Sequence, residues 1–63
     1  MTIDDLAKVL HEAQIAKGAT KASVALAVAE AVLTEAIEEC EGLGYSAPRG
    51  RLLSLLSTLM GQK

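Results

Sequence analysis

The segment KASVALAVAEAVLTEAIEECE, residues 21–41, decides the fold of this chain. It contains neither glycine nor proline, and Thr20 precedes it with a side chain suited to a helix N-cap. Between residues 22 and 33 only Ser23 and Glu30 are polar. Apolar side chains therefore surround almost the whole circumference of the predicted helix, and such a helix has to be covered on almost every side.

A shorter amphipathic helix is predicted before it, over residues 3–17. Thr2 and Asp5 have the spacing of a capping box, and Gly18 is typical of a helix end. The following residues recur at intervals of three and four along one face: Ile3, Leu6, Leu10 and Ala13. The sequence therefore predicts that this helix packs on one side and faces solvent on the other.

A third helix is predicted over residues 48–60, after a turn at residues 42–48 that contains Gly42 and Gly44. Pro48 suits its first turn. Its apolar positions form one broad face: Leu52, Leu53, Leu55, Leu56, Leu59 and Met60. The prediction is a single all-α domain of three helices covering residues 1–63.

The small size of the chain predicts that it associates with copies of itself. A chain of 63 residues hides only about 60% of the surface that its unfolded form exposes. One cysteine and one histidine provide neither an intramolecular disulfide nor a structural zinc site. We expect a helical-bundle homo-oligomer, a dimer, built on the central helix through the following residues: Val24, Leu26, Val28, Val32, Leu33 and Ile37.

Charge and composition bear on the classes of function. A net charge of −2 and a pI of about 5.2 make nucleic acid an unlikely partner, because phosphates demand a basic surface. No leader or membrane-spanning run is recognisable, so a cytoplasmic location with Cys40 reduced is expected. The single imidazole, His11, lacks a matching nucleophile and orienting group. We expect no enzymatic activity, no metal and no cofactor.

Two predicted helix starts carry cations, and these residues form a candidate anion site: Thr20, Lys21, Ser46, Arg49 and Arg51. In one interpretation they are ordinary helix starts, with both arginines folded back onto the glutamates that end the central helix. In the other, an antiparallel dimer brings Lys21 of one copy near the two arginines of the other. That arrangement would sequester a phosphate-bearing small ligand such as a nucleotide.

The leading functional hypothesis is an adaptor or inhibitor that binds another protein. Four residues of the third helix are candidates for docking, or alternatively belong to the core: Leu52, Leu55, Leu56 and Leu59. A helix-turn-helix DNA binder is a weaker hypothesis, because Val, Ala and Leu follow Lys21 and Ser23 where polar base-reading side chains are needed. The small size is also compatible with accessory proteins encoded by phages and mobile elements.

Overall fold

A computed structural model describes residues 1–61 as three α-helices joined by short turns. Helix α1 spans Ile3–Ile15, α2 spans Lys21–Leu43 and α3 spans Ser46–Met60. The predicted all-α class with three helices is confirmed.

Both outer helices run antiparallel to α2. The amino group of Met1, at the start of α1, contacts Glu35 near the far end of α2. At the other edge, Leu59 near the end of α3 lines one groove together with Ala22 and Leu26 from the first turns of α2. Each outer helix packs against α2, but α1 and α3 do not contact each other within residues 1–61.

The three helices lie side by side in a single layer. The chain measures 38 by 27 by 11 Å, so it is much thinner than it is long or wide. Helix α2 is therefore covered along two edges and open on both flat faces. In the part of the chain that the structure describes, Ile37 is the one buried residue, with 8% of its surface exposed.

Capping boxes define the starts of α1 and α2. The sequence predicts the first box and, for α2, the N-cap at Thr20. Thr2 Oγ1 accepts a hydrogen bond from the Asp5 N–H at 3.2 Å, and Asp5 Oδ2 accepts one from the Thr2 N–H at 2.9 Å. Thr20 and Ser23 repeat this exchange at the start of α2, at 3.0 and 2.8 Å. Each box satisfies two backbone donors that a helix start otherwise leaves without a partner.

The predicted end of α1 at residue 17 is wrong by two residues. The helix ends at Ile15 because Ala16 adopts an extended conformation with ψ of 144°. Gly18 then turns the chain with φ of +76°, a conformation that favours glycine.

The predicted turn at residues 42–48 is too long on both sides. Helix α2 continues through Gly42 to Leu43, and only Gly44 adopts a left-handed conformation, with φ of +76°. Helix α3 begins at Ser46 instead of Pro48, after an N-cap at Tyr45. One glycine inside a long helix costs only about 1 kcal/mol, and proline in a first turn removes an N–H that has no helical partner there.

Replacing Gly42 and Gly44 separately by alanine is expected to have opposite effects on the free energy of unfolding. A Cβ at either position meets no atom within 4 Å, so only the backbone conformation differs. Gly42→Ala should stabilise the protein by roughly 0.5–1 kcal/mol, because Gly42 is helical. Gly44→Ala should destabilise it by about 1 kcal/mol, because its φ is positive. Urea denaturation at one fixed chain concentration measures both, and two shifts in the same direction would contradict the helix end at Leu43.

The capping box of α1 predicts a loss of stability in acid. Hydrogen bonds from Thr2, first from its backbone N–H, lower the pKa of Asp5 below its ordinary value of 3.8. The charged carboxylate therefore contributes stability above about pH 3.8, and this contribution is lost as pH falls through the lowered pKa. Wild type should be more stable than Asp5→Asn near neutrality and equal to it in strong acid. Thermal melts across this pH range test the prediction, and a pH-independent difference would contradict it.

Candidate functional site

An apolar groove runs between α1 and α2 on one flat face of the layer. We use the name apolar groove for the surface formed by these residues: Leu10, Val24, Ala25, Val28, Ala29 and Val32. Two large side chains in it are well exposed, with 40% of Leu10 and 44% of Val32 accessible to solvent. Thr20 and Lys21 border its end at the start of α2. The groove is thus an aliphatic surface with a cation at one end.

The opposite flat face of α2 is polar. Thr34 and Glu38 are exposed, and helical periodicity places both on the side of α2 away from Val32. One flat face of α2 therefore carries the apolar groove, whereas the other carries hydroxyl and carboxylate groups.

The six predicted interface residues divide between two sides of α2. Val24, Val28 and Val32 line the apolar groove. Leu26 lies near Leu59 of α3, and two further residues follow it at helical spacing on that side: Leu33 and Ile37. The chain's own packing buries Ile37 and leaves Val32 exposed, and the other four residues are half-buried.

Helix α3 is too short to cover the whole of α2. With 15 residues against 23, it ends about 12 Å before the start of α2 is reached. A second groove of similar size remains there, between Leu59 and the first turns of α2, and it includes Ala22, Ser23 and Leu26.

The cationic residues of the candidate anion site lie at opposite ends of one chain. Thr20 and Lys21 start α2, whereas Arg49 and Arg51 lie in the first turns of α3, beside the other end of α2 and about 30 Å away along the helix. Arg49 folds back onto Glu41, with its Nε and Nη2 atoms 2.9 and 2.7 Å from Oε1. This contact confirms the fold-back interpretation for Arg49.

Ser46 is likewise an ordinary part of a helix start, as the first residue of α3. The Thr20 hydroxyl is engaged in its capping box. Only a second copy is able to bring Lys21 near Arg51, so the anion site is not assembled in a single chain.

Carboxylates cluster at the end of α2, where they oppose the helix dipole. Glu35, Glu38 and Glu39 surround a shallow depression there. The amino group of Met1 contacts Glu35 at 2.5 Å, and this hydrogen bond and ion pair raise the pKa of the amino group. Sequence reasoning missed this contact and assigned the relief of these charges to the arginines alone. The length of α1 could have predicted this contact, because a 13-residue helix folded back from Gly18 brings its start beside Glu35.

The remaining candidate residues have the following surroundings. His11 is exposed, and Cys40 is a half-buried free thiol. On α3, Leu52, Leu56 and Leu59 are half-buried, whereas Leu55 is 54% exposed.

Two further features of residues 1–61 are the arrangement of possible metal ligands and the hydropathy of the helices. No group of three or more histidine, cysteine or acidic side chains in this range is arranged to hold a metal ion. Nor does any helix in it combine the length and hydropathy needed to cross a bilayer.

Comparison with known proteins gives no match: no family model fits the chain, and neither the curated proteins nor the solved structures include a significant relative.

Proposed function

We propose that the protein is a small, non-enzymatic interaction protein that self-associates through α2 and acts by binding another protein, as an adaptor or inhibitor. The observation that carries the proposal is the single layer of helices. Helix α2 has neighbours along two edges only, and one of its open faces is the apolar groove. A second copy laid on that face would supply the missing layer of the core.

The accessible surface supports this proposal quantitatively. The chain exposes 4770 Å², whereas a compact monomer of 6.6 kDa is expected to expose about 3,900 Å². The excess of about 900 Å² is close to the roughly 800 Å² that each partner buries in a protein interface of standard size. The surface left open in one chain is therefore sufficient for a stable dimer.

The interior of a single chain is correspondingly small. Within the described residues only Ile37 is buried, and a lone cysteine provides no intramolecular disulfide. A chain of this size rarely gains more than about 3–5 kcal/mol from a core of its own. Association therefore has a stabilising role in addition to a functional one.

Self-association is tested by measuring mass and stability on the same samples. Light scattering should give about twice the chain mass of 6.6 kDa at micromolar concentration. The melting temperature, followed by circular dichroism, should fall on dilution because folding and assembly are linked. A single chain that melts cooperatively at a temperature independent of concentration would contradict self-association.

The flank of α3 that carries Leu55 is the proposed surface for the protein partner. Helical spacing places Leu53 and Met60 on the opposite flank of α3, and the side away from α2 carries polar residues such as Ser54 and Thr58. Once a second copy covers α2, exposed apolar side chains remain on this helix, where 38% of Leu53, 54% of Leu55 and 46% of Met60 are accessible. An amphipathic helix placed in a groove is a recurrent mode of protein recognition. Leu52, Leu56 and Leu59 face inward and hold α3 in place.

Substitutions at two neighbouring leucines distinguish a role in partner docking from a role in folding. Leu55→Asp should retain helicity and lose the partner, because Leu55 is exposed. Leu56→Asp should destabilise the protein by at least about 2 kcal/mol, because Leu56 is half-buried. Circular dichroism and capture of the partner from a bacterial lysate measure the two effects. Unfolding by Leu55→Asp, or partner capture unaffected by it, would contradict docking through Leu55.

A further inference from the structure

We propose that the apolar groove receives a second copy of this chain with the two α2 helices antiparallel, so that Lys21 of each copy lies beside Glu39 of the other. This inference rests on the proposed self-association and specifies the face and the direction of packing.

The face is identified by one stripe of α2 that continues the groove along the helix. Its members alternate at spacings of four and three: Lys21, Ala25, Val28, Val32, Glu35 and Glu39. This spacing brings side chains onto the seam along which two long helices pack against each other. Alanine at position 25 lets the backbones approach closely, while the two valines provide branched apolar contacts.

Charge along the stripe determines the direction. The stripe begins with the cation Lys21 and ends with the carboxylates Glu35 and Glu39. Parallel packing would place Lys21 against Lys21 and Glu39 against Glu39 of the other copy. Antiparallel packing brings opposite charges together, and two-fold symmetry makes each such contact occur twice.

The register agrees with this direction. Lys21 and Glu39 are equally distant from Glu30 along α2, and so are Val28 and Val32. A two-fold axis at the level of Glu30 along α2, on the face of the stripe, therefore pairs the charged ends and the two valines simultaneously. The aliphatic centre is enclosed by the copies, while the ion pairs remain at the two ends.

The second copy also covers the most exposed side chains of the groove. Leu10 and Val32 keep 40% and 44% of their surfaces accessible in one chain, on the flat face opposite Thr34. A second copy is the occupant that this surface favours, since the stripe is complementary in charge to its own reversed image. A helix of an unrelated protein would have to carry the matching charges independently.

The face is tested with a matched pair of glutamate substitutions. Val32→Glu places a carboxylate in the apolar seam and should weaken dimerisation at least about a hundredfold. Thr34→Glu adds the same charge to an exposed position on the opposite face of the same helix and should leave dimerisation unchanged. Analytical ultracentrifugation gives the dissociation constants, and circular dichroism verifies helicity. A dimer that tolerates Val32→Glu, or that is disrupted by Thr34→Glu, would overturn the assignment of the face.

The direction is tested by exchanging the charges at the ends of the stripe. Lys21→Glu and Glu39→Lys should each weaken an antiparallel dimer about tenfold at low salt, and the double variant should restore wild-type affinity. Both single changes improve the fit to the helix dipole, so weaker association would not arise from a damaged helix. A parallel dimer places like charges at both ends before and after exchange, so unchanged affinity in the single variants would overturn the antiparallel arrangement.

The outcomes separate this inference from the proposed function. A wild-type chain that is a folded monomer contradicts self-association itself. If the wild-type dimer tolerates Val32→Glu and the charge exchanges, self-association stands but the groove is excluded as its interface. If the groove instead binds a helix of the protein partner, Val32→Glu should abolish binding of that partner.

Discussion

The structure depends on a shortage of neighbours around its central helix. Helix α2 is apolar over most of its circumference, and burying that surface is the largest favourable contribution available to the chain. Two antiparallel partners, α1 and α3, contact only its edges. The hydrophobic effect is not directional, so the remaining apolar face favours any cover that excludes water from it. This is why the architecture of the subunit and its proposed activity as an interaction protein have the same physical origin.

Local interactions fix where the helices begin and end, and thereby which face stays open. Capping boxes start α1 and α2, and left-handed glycines turn the chain after each of them. These turns are so short that both outer helices fold straight back along α2. Both outer helices are also shorter than α2, with 13 and 15 residues against 23, so each packs along only part of its length.

Much of this could be predicted from the residues, and the failures have definite causes. Capping residues identified the starts of α1 and α2, and the spacing of the leucines identified α3, because those signals act within a few positions of the chain. The end of α2 was misplaced because Gly42 and Gly44 look alike in sequence, although only Gly44 adopts a positive φ. Contacts between helices were harder, since they depend on register. The fold-back of Arg49 was anticipated, whereas the pairing of Met1 with Glu35 was not.

The two faces of α2 were the least accessible to sequence reasoning. A helix with apolar residues almost all round has no strong periodicity, so its sequence does not show which sides its neighbours will occupy. Once α3 covers the side of Leu26 and Ile37, the sides with Val32 and with Thr34 become distinct surfaces. The stripe from Lys21 to Glu39 is recognisable only in the structure, where its charges lie at the two ends of an uncovered aliphatic surface. The arrangement of these charges is the basis of the antiparallel packing that we propose for a second copy.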